Sequence, residues 1–412
     1  MFFFSARAAS GALPSALLAI VATLFSGPTT AAGTDLSSVL AGQVNMTIFS
    51  GLVKDYPDVF SKLSGVTIAA PNDNAFRKLG NWESMAANKP LIEARLKYHI
   101  LAREVTMGSV IRGDSIFSPT LLNDPAFSNV TNGQQLILTK QPNGDVVFTS
   151  GFATRGTVLV EDLKFDGGLV QIIDSVMRVP EPLQSTARDA YTDLTAFLGA
   201  LYATGLIDEF TDAANLTIFA PHNAAFQLLA GAFSDMGAEQ IKRILSYHLV
   251  PGKVVHSWEM KVNDALDSSI TDKKLHVQRN ANSIFINSAQ IIQADILLSN
   301  GVVQMIDNVL SPDSDNAKPN VTATAQNPVF TPKGATETGS AAPTPFITQL
   351  PCTVSCPVSQ PTGGAGTGGG AAGEAGVRST SSKGGVPAAR CTGMAGAGLG
   401  FGLAVGALVV AL

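Results

Sequence analysis

Cysteine, histidine and charge are all scarce in this chain. Three cysteines in 412 residues cannot build the disulfide framework of a small secreted domain. Five scattered histidines argue against a His-rich metal site. Charged residues make up 14%, against about 25% in an average soluble domain. The net charge is −5, so there is no basic field to hold nucleic acid. The sequence has no Gly-x-Ser-x-Gly elbow, no His-Glu-x-x-His helix and no phosphate-cradling Walker loop. Neither an enzyme nor a cofactor is therefore expected. Between the two ends no window of 18 apolar residues occurs, which excludes a polytopic membrane protein.

What the chain has in excess is apolar side chains, 45% of the total, and many of them sit at the ends. Arg7 is the only charge in the first 34 residues. An apolar stretch from Leu13 to Phe25 leads to small residues at Thr30 and Ala32, the pattern of a signal peptide over 1–32. At the other end, Met394 to Leu412 is small or apolar to the last residue, with no basic cluster behind it. Small residues at Ser382 and Gly384, a short spacer and this tail form a glycosylphosphatidylinositol (GPI) signal. Ser382 is the expected attachment residue, Gly384 the alternative, and 383–412 the discarded propeptide. An ordinary tail anchor is the competing reading. If both ends are removed, Cys391 goes with the tail. Cys352 and Cys356 then remain, an even number in an oxidising compartment. They suit a local disulfide or a bond between chains; no histidine lies near to suggest zinc. Asn-x-Ser/Thr sequons at Asn45, Asn129, Asn215 and Asn320 predict an N-glycosylated protein.

The body of the chain is a duplication. Val66 to Phe76 matches Leu216 to Phe226, Leu96 to Ile100 matches Leu245 to Leu249, and Gly168 to Asp174 matches Gly301 to Asp307. The three blocks keep their order. The first repeat carries 16 extra residues between the second and third blocks, expected as a loop within Arg112 to Gly133. Each repeat opens with helical spacing (Ile48, Phe49, Leu52, Val53; Phe197, Leu198, Leu201, Tyr202) and follows it with a short β run, 66–69 or 216–219. Asn72 or Asp73, and Asn223 in the second repeat, suit the N-cap of the next helix. Strands cluster late: 136–139 and 146–149 flank Asn143-Gly144, and 275–278 and 284–287 form a second hairpin. Val302 to Leu310 reads as the last strand. Helices early and strands late give an α+β class. The link 180–190 is short. From 313 to 382 the composition turns to Ser, Thr, Pro and Gly, which predicts a disordered, O-glycosylated stalk.

Thr-Ile-Phe-Ala-Pro-x-Asn-x-Ala-Phe, Tyr-His and Gly-x-Val-x-x-Ile-Asp-x-Val-Leu, in that order and twice, resemble the fasciclin domain. The resemblance covers about 35–180 and 190–312. His222 and Ala69 depart from it. It implies two tandem β-wedges packed with helices, in an extracellular glycoprotein that mediates cell–cell, cell–matrix or cell–wall adhesion. The partners implied are other surface or matrix proteins or glycans, or a second copy of the chain; the membrane is reached through the GPI lipid. Similar fungal proteins act at the vacuole and in autophagosome fusion, which leaves an endomembrane role as the alternative, and a wall glycan-binding module as a third. Within the family Tyr98, His99, Tyr247 and His248 stand as contact residues; their apolar helical neighbours equally suit a core anchor with a fixed hydrogen bond. Arg112-Gly113-Asp114 spells an integrin tripeptide, with a plain glycine turn as the other reading. Asp174, Asp307, Asp162 and Asp295 recur in both repeats and are read as turn-bracing acceptors.

Overall fold

The computed structural model describes residues 34–80, 82–330 and 344–351. The signal segment 1–32, Cys352, Cys356, Ser382 and Gly384 lie outside the described residues.

The first domain starts with α1 (Leu36–Ala41), α2 (Thr47–Asp55) and α3 (Pro57–Phe60). The chain then alternates β1 (Val66–Pro71) with α4 (Asp73–Lys78), α5 (Trp82–Ala86) and α6 (Lys89–Tyr98). It finishes in strands: β2 (Ile100–Leu101), β3 (Ser115–Pro119), β4 (Gln135–Lys140), β5 (Val146–Thr149), β6 (Arg155–Phe165) and β7 (Gly168–Ile173). The second domain repeats the plan. Its helices are α7 (Leu183–Asp189), α8 (Thr195–Thr204), α9 (Ile207–Thr211), α10 (Asn223–Leu228), α11 (Ala230–Ser234) and α12 (Ala238–Tyr247). Its strands are β8 (Leu216–Pro221), β9 (Leu249–Val250), β10 (Ala265–Asp267), β11 (Lys274–Asn280), β12 (Ser283–Ile286), β13 (Ala289–Leu298) and β14 (Gly301–Ile306).

Each domain holds one seven-stranded sheet, ordered β2-β1-β7-β6-β5-β4-β3 and β9-β8-β14-β13-β12-β11-β10. Only β1–β7 and β8–β14 run parallel. The sheet curls until its ends meet: in the first domain Leu121 N donates to Ile100 O at 2.9 Å, and in the second Ser269 N donates to Leu249 O at 2.8 Å. Two cores follow from the curl. The central strand β1 is buried along its whole length and alternates between them. Ile68 and Ala70 face the helices with Phe49 and Phe76; Ala69 faces the closed interior with Tyr98, Leu136 and Phe148. β8 does the same with Ile218 and Ala220 against Phe219. This explains why the β1 and β8 runs read as continuously apolar. The parallel pairs need glycine at their start. A Cβ on Gly168 or Gly301 would stand 2.0 Å from the carbonyl oxygen of Val66 or Leu216.

Some expectations are corrected. The stretch 112–133 is not one loop: it contains β3, the counterpart of β10, and fifteen residues (120–134) then separate β3 from β4, against six (268–273) in the second domain. Asn223 does not cap its own helix. It occupies the first turn of α10, and its Oδ1 accepts from Ala196 N at 2.8 Å, capping α8 across the domain. Asp73 does the same for Ile48 N at 2.9 Å, while Asn72 caps α4. The link 180–190 contains α7, whose Leu183 and Ala187 belong to the second core. Residues beyond 312 also touch the second domain. Asn308 Nδ2 donates to Gln326 O and Gln326 N donates to Asp307 Oδ2, which ties this segment to the residues just after the last strand. Phe346 then packs edge-on against Phe226 and Phe233, at 6.1 and 5.5 Å between ring centres. A Ser/Thr/Pro composition signals little burial on average, but one phenylalanine in it is enough to dock a segment. The last strand ends at Ile306 rather than Leu310: at Asp307 the side chain, in place of the backbone carbonyl, accepts from Gln290 N.

Phe346 seats its backbone oxygen over Gly199 in α8, where a Cβ would come within 2.2 Å. Gly51 holds the equivalent place in α2 and has open space above it. The same substitution should therefore act oppositely. Gly51→Ala should raise the melting temperature, by up to about 1 kcal/mol of stability from helix propensity. Gly199→Ala should expel 344–351 and speed proteolysis of that segment, read by mass spectrometry of limited digests.

Candidate functional site

Both Tyr-His pairs lie inside the fold. Tyr98, His99, Tyr247 and His248 are each no more than 2% exposed. The tyrosines close the interior of the curled sheets: Tyr98 Oη donates to Gln135 O at 2.9 Å, and Tyr247 Oη to Lys274 O at 2.7 Å. Burial pushes the Tyr247 hydroxyl up to about 12. The histidines sit at the C-caps of α6 and α12. Nδ1 of His99 is 2.7 Å from Arg95 O, and its Nε2 accepts from Met177 N at 2.9 Å. His248 repeats this with Ile244 O at 2.8 Å and Leu310 N at 2.9 Å. A ring that meets a carbonyl on one side and an N–H on the other is the neutral Nδ1–H tautomer. These four side chains offer no surface to a partner. The physical reason is position: each pair falls at the turn from a packed helix into the short edge strand β2 or β9.

The other sequence candidates separate cleanly. Arg112, Gly113 and Asp114 are exposed in a turn before β3, with Gly113 at φ +84° and its N–H on Lys140 O. The aspartates brace the sheets. Asp174 accepts from Thr157 N and Asp307 from Gln290 N, at 2.8 and 2.7 Å. Asp162 and Asp295 sit at positive φ in the irregular stretches of β6 and β13, where Gln171 and Gln304 bond them. Among the described residues no three His, Cys, Asp or Glu are grouped to hold a metal ion, and no helix is long and apolar enough to cross a membrane.

The surface unique to this arrangement is the seam between the domains. The long 120–134 segment forms it. Asn129 N donates to Ser299 O at 2.6 Å, and Gln134 Nε2 to Leu298 O at 2.7 Å, the latter fully buried. Two sequons face one another here. Asn215 Oδ1 accepts from Thr131 N and its Nδ2 donates to Thr131 Oγ1, both at 2.8 Å, while Asn129 Nδ2 donates to Asp212 O at 3.2 Å. Asn45 and Asn320, by contrast, are exposed away from it. Phe117 from β3 reaches across to lie 4.8 Å from His256 and 6.2 Å from Trp258. Open clefts of about 520 and 570 Å3 flank the seam.

Sequence reasoning passed over Phe117, Gln134, His256 and Trp258. The signal was the mismatch between repeats. Val105 N and Val255 N each donate to the hydroxyl of the equivalent Thr67 or Thr217 at 2.8 Å, which fixes the register. One and three residues on, Thr106 and Gly108 stand opposite His256 and Trp258.

The buried imidazoles set a pH dependence. Burial holds both down to about 4. In the unfolded chain they titrate near 6.5. The unfolded state therefore binds more protons between about pH 6.5 and 4. Stability should be whole above that window and fall as pH drops through it, by about 3 kcal/mol per histidine. Urea midpoints at pH 7 and 4.5 read the fall. His99→Gln combined with His248→Gln should be less stable at pH 7 and lose most of the slope.

Comparison with known proteins accords with this geometry. The fasciclin domain matches residues 44–180 and 192–312. A "Fasciclin-like arabinogalactan protein" of Arthroderma benhamiae is 31% identical over 290 residues, covering 69% of this chain and 68% of that one. "Fasciclin-like arabinogalactan protein elcF" of Phaeosphaeria nodorum is 28% identical, covering 68% of this chain and 88% of its own. A solved FAS1 domain pair from the insect cell adhesion molecule Fasciclin I aligns over 66% of this chain and 99% of its own, at 18% identity and a TM-score of 0.33. With both domains matched by sequence and built on one plan, the chain belongs to the fasciclin family.

Proposed function

We propose that this protein is an extracellular, GPI-anchored adhesion glycoprotein. The reading rests on one observation above the others: two domains of an adhesion-type family lie between terminal segments with the patterns of a secretory signal and a GPI signal. The similarity to fasciclin-like arabinogalactan proteins supports its glycoprotein character. Attachment through lipid would leave both domains outside the cell. Many copies on one membrane then turn weak single contacts into firm adhesion, because every contact after the first is made at high effective concentration. The exposed Asn45 and Asn320 suit glycans that do not touch the seam.

The test is release. A phosphatidylinositol-specific lipase should free a chain tagged within 352–381 from intact cells. Ser382→Leu with Gly384→Leu should abolish surface display. A lipase-resistant, protease-protected pool on vacuoles would instead favour the endomembrane reading.

A further inference from the structure

The cleft beside Trp258 has features that adhesion alone does not call for. Trp258 is 58% exposed, the one aromatic among the large apolar side chains left in water in the described residues. It is the outermost of three rings: His256 lies 4.8 Å from Phe117, and Phe117 6.2 Å from Trp258, tilted by 38° and 32°. At these distances and shallow angles the rings pack in offset, tilted fashion rather than edge-on, with the indole at the solvent end. His256 at the inner end is 5% exposed; its Nδ1 faces Asp295 Oδ1 in a long contact of 3.5 Å, and its buried Nε2 has no hydrogen-bond partner. A buried Nε2 without a partner is a cost that packing alone does not explain. The rim carries Asn132, Gln135, Asn215 and Thr131, with Lys253 and Glu259 balancing one another in charge. The cleft exists only where the domains meet: β3 of the first supplies Phe117, and the second supplies the residues that replace Thr106 and Gly108 of its twin.

We infer that this seam cleft binds a neutral saccharide, with a pyranose ring laid on Trp258. A pyranose has a flat C–H face that an indole covers, and a fringe of hydroxyls that amides match as both donor and acceptor. The balanced rim does not select an anionic sugar. His256 gives a hydroxyl a second partner if Phe117 swings aside. The inference deepens the adhesive reading by naming a partner chemistry, and rests on it for the cleft's being outside the cell. Two sources have this chemistry: a free wall oligosaccharide, and the chain's own N-glycan on Asn215, which lines the same cleft.

The experiment uses the secreted full-length chain, with isothermal titration calorimetry for probe affinity in every variant, since Trp258→Ala removes the cleft fluorophore, and tryptophan fluorescence for the exposure of Trp258. Trp82 packs against Phe76 in the first domain, so the second tryptophan, Trp258, is the one that reports on the cleft. Four probes are titrated: laminarihexaose, cellohexaose, chitohexaose and mannohexaose. Each is run against the glycosylated chain and against Asn215→Asp, which lacks the sequon but keeps an acceptor for Thr131 N. Saturable binding of a probe to Asn215→Asp, weakened about tenfold or more by Trp258→Ala (about 1.4 kcal/mol), establishes a free oligosaccharide as ligand. No probe binding, with Trp258 shielded from acrylamide only when Asn215 is glycosylated, establishes the chain's own glycan. Binding unchanged in Trp258→Ala, or no binding with Trp258 equally open in both chains, overturns the proposal. Circular dichroism confirms that the variants fold. Lipase release and cell aggregation are measured in parallel. Their failure with saccharide binding intact sinks the adhesive reading and leaves the cleft; the reverse outcome sinks the cleft alone.

Discussion

The fold depends on a neutral imidazole held where two cores meet. In each domain one histidine joins the end of a helix to the segment that follows the last strand, by a carbonyl on one side and an N–H on the other. Those segments are 78 and 62 residues from the histidine, so the bond closes nearly the whole sheet. It works only while the ring is uncharged: a second proton would turn Nε2 from acceptor into donor, facing another donor. Burial supplies that condition, and the same burial removes the pair from any role in direct contact. The adjoining tyrosine completes the arrangement by tying the helix to β4 or β11, the strand beside the far edge of the sheet. A motif repeated this faithfully in two domains of one chain is explained by what the fold needs.

The repeats agree where the fold is held and differ where the domains face each other. Thr67 and Thr217, Gln171 and Gln304, and Gly168 and Gly301 do the same work in both. The 120–134 segment, Phe117, His256 and Trp258 have no twin. Through them the first domain supplies hydrogen bonds and an aromatic ring to the second, and the second returns an asparagine, Asn215, that braces the long segment. Duplication thus gives two copies of one scaffold, and divergence at the seam joins them into a surface that neither could form alone.

How much of this was legible in the sequence follows from how local each signal is. Apolar spacing over α2 and α8, the two hairpins and the buried central strands are set by neighbours within a few residues, so they could be read directly. Asn223 could not, because its partner is Ala196 N, 27 residues away, and composition carries no record of that pairing. The 120–134 segment reads as loop because its Pro, Asn and Ser are loop formers; its task, bonding a domain that lies further along the chain, leaves no periodic trace. The Tyr-His pairs showed the opposite difficulty. The sequence marked them as special without saying whether the fold or a partner required them, and only burial decides that.

The tail beyond the second domain follows the same logic at its margin. A Ser/Thr/Pro-rich segment cannot form a core of its own, because it buries too little to offset chain entropy. It can still complete a core that already exists. Phe346 adds one ring to the Phe226–Phe233 pair, and Gly199 gives its backbone room to approach. Its sequence neighbours need contribute little, since the receiving surface is preformed and only a few residues must be fixed. The equivalent surface over Gly51 has no such cover. The domain nearer the expected anchor is therefore clasped by its own tether, while the one farther from it keeps that helix face open.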